Sequence, residues 1–308
     1  MVTDPSTSIK RALVTGATGI VGLPLCRELV SAGIRVTAYS RSAAEFEFLD
    51  GVDGVSGDIL DVESLSSAAD GCDVIFHVAA AVHGSASDYA GFEAINVTGT
   101  ENAIQAARAN GAKLVHVSSV NVAGFRSGDL NDDYASTKSK AEELVTEAVT
   151  AGLEAVIVRP ATVFGNEPGR AGLLVDRLLA GALKVLPAPS RTISPVWSGD
   201  LAKALVCAAG IGESGKVYTI AGPTMTSGEF VQAVCNSGGF RKPYVSIPAW
   251  IFAVPLQVAW WLRKVTRWTP PVSVESLMTG SAHDGSASAR ELNFEYSSTE
   301  SIFRATAN

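Results

Sequence analysis

Apolar residues in the first two thirds of the chain follow two alternating rhythms. Arg11 to Thr15 is a short strand-like run. After a glycine-rich stretch, Val21, Leu25 and Leu29, with Cys26 and Val30 beside them, repeat at helical spacing until Gly33 stops the helix. Ile34 to Tyr39, Val74 to Val78, Leu114 to Ser118 and Ala155 to Val158 read as further strands, and another precedes Asp58. Helical stretches lie near Val62 to Ala69, Asn96 to Asn110, Tyr134 to Ala151 and Leu201 to Ala209. Almost wholly apolar strands alternating with helices predict an α/β doubly wound parallel sheet covered on both faces. Beyond about Gly165 the alternation weakens as Pro, Gly and Trp become frequent. A smaller, mostly helical carboxy-terminal part is expected there.

Composition narrows the class. With 308 residues, 47% hydrophobic and 18% charged, the chain can bury a large core. A net charge of -7 argues against nucleic acid as a partner, which would need clustered Lys and Arg. Cys26, Cys72, Cys207 and Cys235 lie far apart, so neither a metal site nor a disulfide scaffold is expected, and a reducing cytoplasm fits. The amino terminus shows no apolar signal segment. Ile247 to Leu262 is the most apolar stretch, but it is shorter than the ~20 residues of a membrane span and is broken by Pro255 and Gln257. It reads as a pocket or lid helix rather than a membrane element.

Thr15 to Gly22 reads T-G-A-T-G-I-V-G between a strand and a helix. Gly16 permits the tight turn, Gly19 lets a pyrophosphate approach backbone N–H groups, and Gly22 lets helix pack on strand. This is a dinucleotide-binding (Rossmann) arrangement. The division expected from it is residues 1–165 for the dinucleotide, with 192–221 returning to them, and residues 166–191 and 222–308 for substrate. An acid at the end of the second strand would hold the ribose 2′-OH of NAD; here the sequence is A-Y-S-R. Arg41 can fork onto a 2′-phosphate and Ser40 adds a donor, so NADP is preferred and NAD stays open. A solvated Arg is the plainer alternative. Asp58, followed by Ile59, can accept from an adenine amino group or simply form a turn or helix cap.

Ser118 and Ser119 end a strand, and Tyr134 and Lys138 stand at i and i+4 on one face of a helix. With the glycine loop these residues resemble the extended short-chain dehydrogenase/reductase family, over nearly the whole chain. Further matches are H-V-A-A from His77, I-N-V-T-G-T from Ile95, R-P-A-T-V-F-G from Arg159, P-V-W-S-G-D-L-A from Pro195 and A-R-E-L-N-F from Ala289. The resemblance implies that Tyr134 is the acid/base, that Lys138 holds the nicotinamide ribose, and that Ser119 bonds the substrate oxygen. Asn96 would support the lysine through water, with a helix cap as its alternative. Ser118 is expected to face away from the reacting carbonyl and is counted along the cofactor. A cation ~4–6 Å from the phenol is expected to lower its pKa by roughly 2–3 units at an effective dielectric of ~20. The resemblance also places Thr18, Ile20, Ala79, Ala80 and Ala81 along the cofactor, followed by Pro160, Ala161 and Val163.

The reaction implied is interconversion of a ketone and a secondary alcohol. Arg191 sits two residues out of step with the Arg that sugar-nucleotide enzymes of this scaffold place before their aspartate. The Trp- and Pro-rich end instead resembles the branch of 3β-hydroxysteroid dehydrogenases and dihydroflavonol reductases, which implies an apolar, ringed, small-molecule substrate. Val82, His83, Asn121, Phe164, Trp197 and Trp250 are its candidate walls. Trp260, Trp261 and Trp268 serve as core or pocket alike. A nucleotide-sugar epimerase or dehydratase is the first alternative, and a non-catalytic dinucleotide sensor the second. A homodimer through the helices beginning near Asn96 and Tyr134 is also expected to be open to this chain, with Ala103, Ala106 and Ala107 permitting close packing.

Overall fold

The structure is a computed structural model that describes residues 9–42, 50–82, 85–86, 88–130, 132–165, 185–237, 245–248, 251, 258, 280, 282–298 and 301–302. Five strands follow the alternation read from the sequence: β1 (Arg11–Thr15), β2 (Arg35–Ser40), β4 (Val74–His77), β5 (Lys113–Val117) and β6 (Ala155–Pro160). The sixth, β3 (Val52–Ser56), is an edge strand with only two valines and little burial, which is why its bounds were not evident from apolar pattern. Strands β7 (Thr162–Phe164), β8 (Val185–Pro187), β9 (Thr192–Ile193) and β10 (Pro195–Trp197) are short, and β11 (Val217–Ile220) joins the main sheet beside β6.

The main sheet has seven strands in the order β11-β6-β5-β4-β1-β2-β3, and every pairing in it is parallel. This is the doubly wound α/β fold that the alternation predicts. One face is covered by α1 (Gly22–Ser31) and α7 (Ser198–Ile211), with Leu25, Leu29, Leu201 and Leu205 in one apolar cluster with Val14, Phe76 and Val115. The other face is covered by α2 (Val62–Ala68), α4 (Gly99–Asn110) and α6 (Asp133–Thr150), over Leu13, Ile75 and Leu114. The chain winds outward from β1 in both directions, so β1 and β4 are neighbours whose following loops diverge. That crevice at the carboxyl ends is where doubly wound sheets bind ligands.

Two expectations change here. Ala103, Ala106 and Ala107 are fully buried against α2 and the sheet within the single chain, so they offer no outer face for a second copy. The helix expected from Asn96 begins instead as α3 (Tyr89–Glu93), passes through a π-turn at Ala94–Thr98 that contains Asn96, and becomes α-helical only at Gly99. Asn96 therefore lies inside a helix and caps nothing. Ile247 to Leu262 falls almost wholly outside the described residues. Among those residues no helix is long and apolar enough to cross a membrane.

Candidate active site

The glycine loop closes in a way only glycine permits. Gly16 has φ +64°, and a Cβ on it would lie 2.8 Å from the Ala79 backbone. A Cβ on Gly22 would lie 2.3 Å from the Gly16 carbonyl oxygen. Gly19 N donates to Gly16 O at 3.1 Å, and Leu23 N to Gly19 O at 3.1 Å. Val21, at the start of α1, offers no side-chain cap, which leaves the helix's positive end to an outside anion. Thr18 and Ile20 are half-buried on this turn. Tight turn, uncapped helix start and close approach to β4 together fit a dinucleotide's pyrophosphate.

At the carboxyl ends of the central strands a row of polar side chains lies on the α4/α6 face. Thr15, His77 and His116 are register partners across β1, β4 and β5. The Thr15 hydroxyl accepts from Val78 N and Ala79 N at 3.1 Å each and lies 3.1 Å from His77 Nδ1; His77 Nε2 lies 3.1 Å from the Thr100 hydroxyl, which donates to Asn96 O at 2.7 Å. Because Thr100 spends its proton on Asn96 O, His77 Nε2 donates and Nδ1 accepts. Burial drives the His77 pKa down to about 3, with Lys138 adding to the shift, so the ring is neutral. This chain pins the backbone after β4, where Ala79 and Ala80 are half-buried and Ala81 is buried. Asn96 completes it: its amide accepts from Ala81 N at 2.8 Å and donates to Ala81 O and the Thr137 hydroxyl at 3.1 and 3.0 Å. Asn96 thus ties the post-β4 loop to α6.

Ser119 follows β5 and its hydroxyl accepts from Asn121 N at 3.2 Å at the start of α5 (Asn121–Ser127). Tyr134 stands in the first turn of α6, which Asp132 caps by accepting from Ala135 N. Its phenol is hydrogen-bonded to Ser119, and its ring packs edge-to-face on Phe92 at 6.3 Å. Lys138, one turn on, is 1% exposed and donates to Val117 O at 2.7 Å, with His116 Nε2 at 3.4 Å. Burial lowers its pKa from 10.5 to about 8, opposed by Glu142. The structure thus brings Ser119, Tyr134 and Lys138 together at the ends of β5 and α6.

The expected effect of Lys138 on the phenol is overturned. The Tyr134 pKa is raised to about 12, first by burial and further by the Asp132 charge, and the Ser119 hydrogen bond only partly offsets this. The ammonium is committed to Val117 O and His116, so the Coulomb argument from helical spacing omitted both the desolvation and the competing acceptors.

Ser118 is 3% exposed and its hydroxyl has no hydrogen-bond partner among the described residues. Pro160 and Ala161 are buried and Val163 half-buried, with Pro160 O accepting from Val120 N at 3.1 Å. Ser40 is half-buried and accepts from Ser42 N at 3.3 Å, and Arg41 is exposed. Asp58 forms a turn, its carboxylate accepting from Leu60 N at 3.0 Å, while its carbonyl accepts from the Tyr39 hydroxyl at 2.9 Å. Ile59 is buried against Gly99.

Of the candidate substrate residues, Val82 is exposed and Asn121 half-buried. Phe164 is 7% exposed, its ring 4.9 Å from Phe230 and 5.5 Å from Trp197. Phe164 and Trp197 border a cavity of ≈ 30 Å³, room for about one water, above buried Asp200, whose carboxylate accepts from Ser297 N and its hydroxyl. His83 and Trp250, like Trp260, Trp261 and Trp268, lie outside the described residues.

Sequence reasoning missed His116, Thr15, Thr100 and the Glu142 cluster. Glu142, 1% exposed in its side chain, is bound through both oxygens by Arg159 at 2.7 and 2.6 Å and by Arg126 at 3.2 Å. The available signal was polar residues, including two histidines, inside otherwise apolar strands, because buried polar groups are kept only where they are bonded.

The profile of the NAD dependent epimerase/dehydratase family matches residues 12–221. "Sterol demethylase protein B" of Methylococcus capsulatus is 29% identical over 94% of this chain and 95% of its own length. A 4-hydroxy-2-methyl-3-oxo-4-farnesyl-3,4-dihydroquinoline-1-oxide ketoreductase of Stigmatella aurantiaca is 30% identical over 77% of this chain and 76% of its own. A dTDP-glucose 4,6-dehydratase double mutant from Streptomyces venezuelae, solved with NAD bound, superposes with a TM-score of 0.73 over 96% of each chain at 22% identity.

Proposed function

Because this chain belongs to the NAD dependent epimerase/dehydratase family, we propose that it is a nicotinamide-dependent ketoreductase acting on an apolar, ringed ketone or the matching secondary alcohol. The observation that carries this reading is the Tyr134–Ser119 hydrogen bond at the end of β5, one helical turn from buried Lys138.

A bound nicotinamide supplies the hydride for reduction and accepts it for oxidation. Ser119 donates to the carbonyl oxygen and orients it. Tyr134 delivers the proton to the developing alkoxide. Burial keeps the phenol protonated up to about pH 12, so the free protein holds this donor loaded across the neutral range. Lys138 binds the ribose with the donor it has left. Gly16, Gly19 and Gly22 cradle the pyrophosphate, and Ser118 offers an unused hydroxyl.

Two finer readings extend this proposal. The absence of an acid at Ser40–Arg41 and the exposed guanidinium favour NADP(H); one charge-assisted contact corresponds to roughly ten- to a hundredfold in affinity. Arg41→Ala should erase that margin in a titration, while tighter binding of NAD(H) by the unaltered protein would reject it. Residues 166–191 and 222–308 are assigned the substrate, and the sterol- and farnesyl-quinoline-related names of relatives support an apolar one. Turnover of steroid, flavonoid and polyketide-like ketones, measured beside uridine- and thymidine-diphosphate sugars, tests this. Sugar turnover with every ring ketone refused would overturn it.

A specific observation favours the nucleotide-sugar alternative as second reading. Arg191 is half-buried, its Nε is buried with no partner among the described residues, and burial lowers its pKa. A half-buried guanidinium whose Nε has no partner among the described residues is a place for an anion such as a pyrophosphate.

A further inference from the structure

His116 occupies a position in β5 where an apolar side chain would be expected, level with Leu114 on a face that also carries Leu13 and Ile75. Its Nε2 lies 3.4 Å from Lys138 Nζ. An ammonium can only donate, so Nε2 accepts and the ring proton sits on Nδ1. Nδ1 is buried with no hydrogen-bond partner among the described residues. The imidazole thus leaves one N–H unsatisfied, a costly arrangement, while presenting a lone pair to the lysine.

The groups that face the ammonium come from three elements. His116 on β5 and His77 on β4 are both held neutral by burial, with their rings 5.5 Å apart. On α6, Tyr134 lies one turn before the lysine and Glu142 one turn after; Glu142 is paired with Arg159 of β6 and Arg126 of α5, and its charge still raises the lysine pKa in part. Among the described residues, only Val117 O and His116 Nε2 receive hydrogen bonds from Nζ. Two of the three N–H bonds are therefore oriented by β5, and one remains.

We propose that His116 is a positioning residue for Lys138: its neutral Nε2 and the Val117 carbonyl fix the bearing of the ammonium, leaving the third N–H for a ribose hydroxyl of the cofactor. This rests on the reading of Lys138 as the ribose-holding cation. Removing the acceptor destabilises the charged lysine, so the pKa should fall further and the cation should be lost at lower pH.

The test has two arms. In the unaltered protein, nitrogen-15 NMR of the histidine rings, with His116 identified by its loss in His116→Gln, should show the proton on Nδ1 throughout the neutral range. A predominant Nε2–H form overturns the proposal, and this arm stands even where His116→Phe fails to fold. In the second arm, NADPH affinity is titrated against pH by protein fluorescence, with folding checked by circular dichroism. The unaltered protein should lose affinity through an inflection near the lysine pKa of about 8. His116→Phe should bind about tenfold more weakly at neutral pH and inflect about one pH unit lower, and His116→Gln, which keeps an acceptor oxygen, should restore the original inflection. An unchanged inflection in folded His116→Phe, or equal losses in the Phe and Gln variants, overturns the proposal by showing that only ring shape matters. Lys138→Met separates the premise: if it binds NADPH as tightly as the unaltered protein, the ribose reading of Lys138 is what fails.

Discussion

Burying the Lys138 ammonium costs free energy that Val117 O, His116 and Glu142 return only in part, and the pKa falls from 10.5 to about 8. Between those two values the unfolded chain keeps a proton that the folded chain has released. Folding stability therefore rises with pH across this window through Lys138, by about 3 kcal/mol if the full shift is expressed. Cys26 and Tyr134, both raised to about 12, act in the opposite sense above their ordinary values, so the unaltered protein alone does not isolate the effect. The stability difference between the unaltered protein and Lys138→Met does. In thermal unfolding it should move in favour of the unaltered protein as pH rises from about 8 to about 10.5; a difference that stays flat would show that burial does not lower the lysine pKa and that Lys138 keeps its proton across this window in the folded protein. The same residue marks where sequence reasoning stopped. The i, i+4 spacing of Tyr134 and Lys138 was legible, and the structure puts both on α6, but spacing carries no information about burial. That is why the sign of the phenol's shift came out reversed. His116 was hidden for a related reason: its partner is 22 residues away and is met only through strand register and helix packing.

At the scale of elements, the strands most easily read were those buried on both faces, β1, β4, β5 and β6, because apolar runs are the only sequences such positions tolerate. The edge strand β3 and the π-turn at Ala94–Thr98 left weaker traces. The π-turn has no period of its own to read, and it sets Asn96 where its amide reaches both Ala81 and Thr137. Two glycines bounding α1 separate packing from conformation. Gly22→Ala would drive a methyl group into the Gly16 carbonyl and the Ala17 backbone, so the loop must open. A loss of about 1–3 kcal/mol in stability and of most dinucleotide affinity is expected. Gly33, with φ +77° and open space around a Cβ, should cost about 1–2 kcal/mol on substitution by Ala and leave affinity intact. Chemical denaturation with cofactor titration on both variants distinguishes them. Equal affinity in the two would mean that closure of the glycine loop does not shape the site.

For the whole molecule, the seven-stranded order places the glycine loop, the post-β4 alanines, Ser119 and the start of α6 along one edge, with β1 and β4 at the point where the winding reverses. That edge was legible because each of its segments carries its own motif next to a strand. The substrate side was less so, since walls of a pocket are drawn from segments far apart and a tryptophan in sequence does not say which way it faces; Phe164, named as a wall, packs on Phe230 and Trp197 and borders a small cavity. The central claim is that Tyr134 passes a proton at a carbonyl while a nicotinamide passes the hydride. The most direct measurement is a single turnover of a ring ketone with saturating NADPH, following loss of reduced-nicotinamide absorbance, in the unaltered protein and in Tyr134→Phe. The account predicts one cofactor oxidised per ketone reduced, a rate lowered by about a hundredfold or more in the Phe variant, and NADPH affinity nearly the same in both. Hydride transfer at an undiminished rate in folded Tyr134→Phe would contradict it.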